Sequence, residues 1–232
     1  MPSSRQRGMG RYYSETLAGE RLRACYELAP PPARAYLEAE IEFVAARTSR
    51  STRLLELGCG YGRVLQRLIP RGCTAVGIDT SLESLRMAKP FLAVGPAPRL
   101  LAMDALRIGF RDRSFNLTIC VQNGISAFAV DQQVLLGEAV RVTRSGGTVL
   151  FSSYAERFWP DRLAWFEVQA MHGLIGKIDY RATGNGVIVC KDGFRATTVD
   201  AEGFRGLAES LGLVPRITEV ADSSLFLEVS VP

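Results

Sequence analysis

Lysine is nearly missing from this 232-residue chain. Of its 28 basic residues 25 are arginine, and there is a single histidine. The net charge is only +4, and acids interleave with the arginines. The one-faced basic patch that nucleic acid requires is therefore not expected. No apolar run approaches the roughly 18 residues of a membrane span, and residues 117–121 and 187–190 are typical of the longest. The first eleven residues, MPSSRQRGMGR, hold no apolar stretch. They do not read as a secretory signal, and a basic tail is expected over residues 1–15. The five cysteines (25, 59, 73, 120 and 190) form no C-x-x-C. An odd number in a long chain fits a reduced, cytoplasmic protein better than a disulfide scaffold, and no metal site is expected. What is present is an ordinary globular balance, 47% apolar and 22% charged, enough for a sizeable core.

Two helical patterns come first, over residues 16–28 and 33–47, with the prolines at 30–32 between them. Leu17, Leu22 and Tyr26 share one face, and Tyr36, Leu37, Ile41 and Val44 share another. From residue 53 short apolar runs alternate with helical spacing: RLLEL, CTAVGID, RLLAM and LTICV read as strands, and Gly146 and Gly147 turn the chain into a fifth, TVLFSSY. Continuous apolar strands separated by helices predict a parallel sheet covered on both faces, doubly wound by right-handed crossovers. After residue 154 the rhythm breaks. An aromatic-rich, partly helical stretch precedes a hairpin around KDG, a helix ending at Gly212 and two final strands. The expected division is a helical cap at 1–50 and an α/β domain at 51–232, with 155–200 inserted as a lid.

The sharpest local feature is E-L-G-C-G-Y-G at 56–62, directly after a strand and directly before a helix. Glycines there permit a tight turn and a close ligand approach, and the helix start presents free N–H groups. A dinucleotide loop would space its glycines G-x-G-x-x-G, but here the third comes one position early and residue 63 is Arg. The G-K-[ST] of a nucleotide triphosphate loop is missing as well. Asp79 closes the second strand and Asp104 the third. With Glu56 they place three acids at three strand ends. That set suits a ligand bearing a ribose diol, an amino group and a positive charge, and it would repel a pyrophosphate.

On these motifs the sequence resembles the class I S-adenosylmethionine-dependent methyltransferases, small-molecule type. The likeness rests on the loop at 56–62, Asp79 in GIDTS, Asp104 in AMDAL, FNLTICV followed by QNG at 115–124, and RSGGTVLFSSY at 144–154. It implies a mostly parallel, seven-stranded Rossmann-like sheet whose last strand is antiparallel, with S-adenosylmethionine as cofactor. The resemblance assigns cofactor contacts to Glu56, Gly58, Cys59, Gly60, Gly62, Asp79, Thr80, Asp104, Ala105 and Gln122. Asn116 departs from the family's frequent Asp. The [DN]-P-P-[YF] element of amide- and base-methylating branches is absent after the fourth strand, which leaves a small-molecule acceptor as the expected partner.

Tyr12 and Tyr13 are expected to close over the cofactor, where a ring beside a sulfonium gains cation–π stabilisation. For the chemistry itself the candidates are His172, whose ordinary pKa suits a general base, Asn123 and Tyr13. Tyr154, Phe158 and Trp159 are candidates for an acceptor wall, and Arg181 and Arg195 for an acceptor carboxylate. The competing readings are a cofactor-binding sensor without chemistry and a nicotinamide-dependent oxidoreductase.

Overall fold

The computed structural model describes residues 12–93 and 98–232. The expected tail at 1–11 lies outside them. The rest of that tail is structured: Tyr12–Thr16 forms a single π-helical turn. Helix α1 spans Gly19–Glu27 and α2 Pro31–Ala45, which begins within the proline run rather than after it. Leu17 is buried but precedes α1, so it does not share a helical face with Leu22 and Tyr26.

The described residues of the main domain run β1 (Arg53–Leu57), α3 (Arg63–Leu68), β2 (Thr74–Asp79), α4 (Leu82–Phe91), β3 (Arg99–Ala102), β4 (Phe115–Cys120), a short α5 (Gly124–Ala127), α6 (Gln132–Val142) and β5 (Thr143–Tyr154). After these come α7 (Trp159–Met171), a hairpin of β6 (Ile188–Val189) and β7 (Arg195–Ala196), α8 (Ala201–Glu209), β8 (Pro215–Val220) and β9 (Ser224–Ser230). Seven strands pair in the order β3-β2-β1-β4-β5-β9-β8. The first five are mutually parallel, and β9 is antiparallel to both its neighbours. Order reverses between β1 and β4, which opens a crevice above their carboxyl ends.

Side-chain caps begin the helices where the sequence offers them. Asp131 accepts from the N–H groups of Gln133 and Val134 at 3.0 and 3.1 Å, and Asp200 from that of Gly203 at 2.7 Å. One expectation shifts. Gly146 and Gly147 do not precede the fifth strand but lie within it. The β4–β5 register slips between Phe115 and Leu117, and the extra residues of β5 are absorbed there as a bulge.

Two apolar layers sandwich the sheet. Leu55, Leu57, Ile78, Leu136, Phe151, Phe204 and Leu227 belong to one; Ile41, Leu54, Leu65, Leu85, Ile119, Leu150 and Phe226 belong to the other. Two smaller cores lie beyond these layers. Leu17 and Cys25 pack with Phe166, Ile175, Ile188 and Phe194 in one, and Tyr36 with Phe158, Trp165 and Tyr154, the last residue of β5, in the other. Trp165 Nε1 donates to the Cys25 carbonyl at 2.9 Å, Arg21 Nη2 to the carbonyls of Gly173 and Leu174, and Tyr12 Oη to Asp192 at 2.7 Å. Cap and insert are thus one roof, fastened over the carboxyl ends of the strands.

Candidate active site

The glycine loop folds across the end of β2. The N–H groups of Gly58 and Cys59 both donate to the Ile78 carbonyl, at 2.8 and 3.0 Å. Gly58 has φ +72°, and a Cβ there would sit 2.3 Å from the Phe128 ring. Only glycine combines that backbone angle with that neighbour. Cys59 Sγ turns beneath the loop, against the Cα of Gly77. Gly62, at φ +90°, starts α3.

Asp79 fixes the loop in place. One carboxylate oxygen accepts from the Gly60 N–H at 2.8 Å and the other from the Ser81 N–H at 2.7 Å. Burial raises its pKa, and the backbone donors pull it back. Each oxygen keeps a lone pair for a further donor. On the next strand over, Asp104 is exposed and accepts from the Leu106 N–H at 2.9 Å, with Ala105 buried beside it.

Beyond β4 two consecutive residues hold left-handed backbone, Gln122 at φ 58° and Asn123 at φ 60°. Such strain persists only where the surroundings impose it, and here they do. The Gln122 N–H donates both to Glu40 Oε2 at 2.6 Å and to Ser152 Oγ at 2.9 Å. Ser153 Oγ donates to Asn123 Oδ1 at 2.9 Å, and Asn123 Nδ2 donates to the Thr197 carbonyl at 2.9 Å. Glu40, fully buried on α2, also accepts from Ser224 Oγ. Burial raises its pKa against the pull of these donors.

Three polar atoms of two ionisable side chains lack a hydrogen-bond partner among the described residues: Glu56 Oε2, and Nε and Nη2 of Arg63, whose Nη1 lies 3.8 Å from Glu38 Oε1. The Arg63 guanidinium lies 4.9 Å from the centroid of the Tyr26 ring. Burial pushes the Glu56 carboxyl up to about 8, with Arg63 lowering it and Asp79 raising it. A buried acid and a partly buried base, each with open hydrogen-bond positions, can be completed by a zwitterion that brings an ammonium to one and a carboxylate to the other.

These groups share a cavity of about 400 Å³. Of the residues expected at the site, Tyr13, Glu56, Gly58, Cys59, Gly60, Asp79, Thr80, Asp104, Ala105, Gln122 and Asn123 line it. Three do not. Gly62 is the turn into α3. Tyr12 is spent on Asp192 and on the Phe194 ring, 4.9 Å between centroids, so it ties the opening turn to the hairpin. His172 is exposed at the carboxyl end of α7, its Nδ1 2.9 Å from the Val168 carbonyl oxygen, and is in no position to act as general base. Among the other candidates, Tyr154 lines the cavity, while Phe158 and Trp159 pack within the roof. Arg181 and Arg195 are exposed outside it.

Residues not anticipated complete the wall: Tyr26, Arg63, Phe128, Trp165, Phe166 and Gln169. Glu40 did leave a signal, a lone acid on the face of α2 that carries Tyr36, Leu37, Ile41 and Val44.

Residues 54–147, the stretch that builds the loop and both aspartates, match the family model described as a methyltransferase domain. Over that stretch the chain is similar to the class I S-adenosylmethionine-dependent methyltransferases. It is 35% identical over 102 residues to a malonyl-(acyl-carrier protein) O-methyltransferase of Hamiltonella defensa, covering 44% of this chain and 38% of that one. It is 29% identical over 136 residues to a demethylmenaquinone methyltransferase of Streptomyces griseus, covering 58% and 56%. The chain therefore spans about half or less of the length of these relatives. In three dimensions the chain is similar to a magnesium protoporphyrin IX methyltransferase of Synechocystis solved with S-adenosylhomocysteine, at a TM-score of 0.65 and 16% identity over 98% of this chain and all of that one. At that identity the likeness speaks for the fold.

Proposed function

We propose that this protein moves a methyl group from S-adenosylmethionine to a small-molecule nucleophile. The observation that carries the reading is the cavity's polar end: a glycine loop bound to Asp79, with Glu56 Oε2 and two nitrogens of Arg63 open for hydrogen bonds in the same wall. Asp79 would receive the ribose hydroxyls, Asp104 and Ala105 the adenine, and Glu56 and Arg63 the amino-acid end. S-adenosylmethionine supplies a methyl group already activated on sulfur. The protein's work is then to bind, align and exclude water, and no catalytic triad is required. The roof contributes to the exclusion by lining the cavity with Tyr13, Tyr26 and Trp165. A cavity of about 400 Å³ favours a small acceptor group, in keeping with the quinone and the malonyl group in the relatives' names.

Calorimetric titration with S-adenosylmethionine, S-adenosylhomocysteine and NADH tests the cofactor. Micromolar binding of the two adenosyl ligands and none of NADH is expected. Binding of NADH alone would discard the reading. Methyl transfer to a metabolite pool, followed by mass spectrometry, separates an enzyme from a sensor that binds without turnover.

A further inference from the structure

A charge without a counter-ion lies behind the aromatic wall. Arg162 on α7 is only 1% exposed. Its Nη1 donates to the Gly186 carbonyl at 2.7 Å and its Nη2 to that of Thr197 at 3.4 Å, while Nε has no partner. Its guanidinium carbon is 4.5 Å from the Tyr154 ring centroid and 5.5 Å from that of Phe166, two rings that line the cavity. Among the described residues no carboxylate comes within 4.0 Å of its nitrogens. The groups facing it are phenols and carbonyls: Tyr154 on β5, Tyr13 in the opening turn, Tyr36 on α2, and the two hairpin carbonyls. Dipoles and ring faces soften a buried cation but do not neutralise it, and guanidinium cannot shed its proton.

The cavity is consequently polarised. Its acids, Glu56, Asp79 and Asp104, all belong to the strand ends. Its roof end offers Tyr13, Tyr154, Trp165, Phe166 and Gln169, backed by Arg162, and no general base. A protonated amine entering there would meet Arg162 on one side and a sulfonium on the other. An anion would complete the charge, and a ring would stack on the wall.

Resting on the methyl-transfer reading above, we propose that the acceptor is a compact ring-bearing oxyacid, a phenol or a carboxylic acid, which Arg162 holds as its anion for methylation at oxygen. The acceptor releases its proton to water. Its oxyanion forms a bond to the methyl carbon as the carbon–sulfur bond breaks, and that electron pair stays on sulfur. The products, a methyl ether or ester and a thioether, carry no charge at the reacting atoms. Arg162 acts here through its field and as a positioning residue, and the cavity-lining amides of Gln122, whose Nε2 has no partner, and Gln169 are left to orient the acceptor.

The test uses the protein saturated with S-adenosylhomocysteine, titrated with 4-nitrophenol, benzoate and benzylamine. The anions are expected to bind at least about tenfold more tightly than benzylamine. The phenolate absorbance band should place the bound nitrophenol's pKa roughly one unit below its value in water. Arg162→Gln should erase both effects and leave S-adenosylhomocysteine affinity within about twofold, while Arg162→Lys keeps the preference for anions. Tight benzoate with weak nitrophenol would assign the carboxylic acid, and the reverse the phenol. Benzylamine binding as well as either anion, no binding of either anion, or an unshifted nitrophenol in the wild-type protein would overturn the proposal, even if Arg162→Gln fails to fold. Failure of S-adenosylhomocysteine to bind the wild type would instead remove the methyl-transfer reading beneath it.

Discussion

The two ends of the cavity are built by opposite means. The strand end is mostly backbone and short side chains: Gly58, Gly60, Asp79 and Asp104 all lie in or within three residues of a β-strand, and Asp79 reaches Gly60 directly. The roof end is large side chains brought together from residues 12–45 and 154–199, held by packing and a few long-range bonds such as Trp165 to Cys25. A site made at strand ends inherits its geometry from the sheet. A site made by a roof owes its geometry to how two distant segments pack, and so it can change its acceptor without disturbing its cofactor.

Four substitutions can break or sharpen that contrast. Trp165→Ala should have the largest effect, about 3–5 kcal/mol of stability, because it empties the centre of the roof core and orphans the Cys25 carbonyl. Chemical denaturation would register the loss, and S-adenosylhomocysteine affinity should fall far less than acceptor affinity. Asp79→Ala should do the reverse: a loss of roughly 1–3 kcal/mol in binding that ligand by calorimetry, from removing the acceptor of the Gly60 N–H and of the ribose. Unchanged affinity would detach Asp79 from the cofactor.

Glu56→Gln tests a pH effect whose sign is fixed. Glu56 titrates near 8 when folded, well above the ordinary carboxylate range. Between those values the folded chain keeps a proton that the unfolded chain has lost, so this group makes stability fall as pH rises through the window. A cation bound beside it displaces that proton, so adenosyl-ligand affinity should rise from pH 6 towards 8. The glutamine variant should flatten both slopes, and melting and titration across that range would show it. His172→Ala should have the smallest effect, within about 0.5 kcal/mol in stability and with turnover unchanged, as befits an exposed side chain outside the cavity. A collapse of turnover would mean that the roof closes further than its resting form shows.

Legibility in the sequence follows the same division. Strands β1, β2, β4 and β5, the loop at 56–62 and both aspartates were readable because their signals are local: an apolar run, a glycine spacing, an acid at a strand end. Trp165, Phe166 and Gln169 were not, because helical spacing alone does not say which face of α7 meets which face of α1. His172 misled for the same reason. Its chemistry suits a base, but its side chain falls beyond the last turn of the helix, on the outside. Arg162 was passed over among 25 arginines, since nothing local distinguishes a buried one, whereas Arg181 and Arg195 drew notice and proved exposed.

The clamp on Gln122 also bears on the order of assembly. Its N–H is held by Glu40, and Glu40 in turn by Ser224, a side chain 184 positions further along the chain. Contacts so far apart in sequence close late, because a long loop must first be ordered. A chain emerging from the ribosome can fold its glycine loop once β2 has appeared, but the strained turn that faces the acceptor has no reason to form until β9 is in place. Half-made copies would therefore carry a cofactor shelf with no working chamber above it.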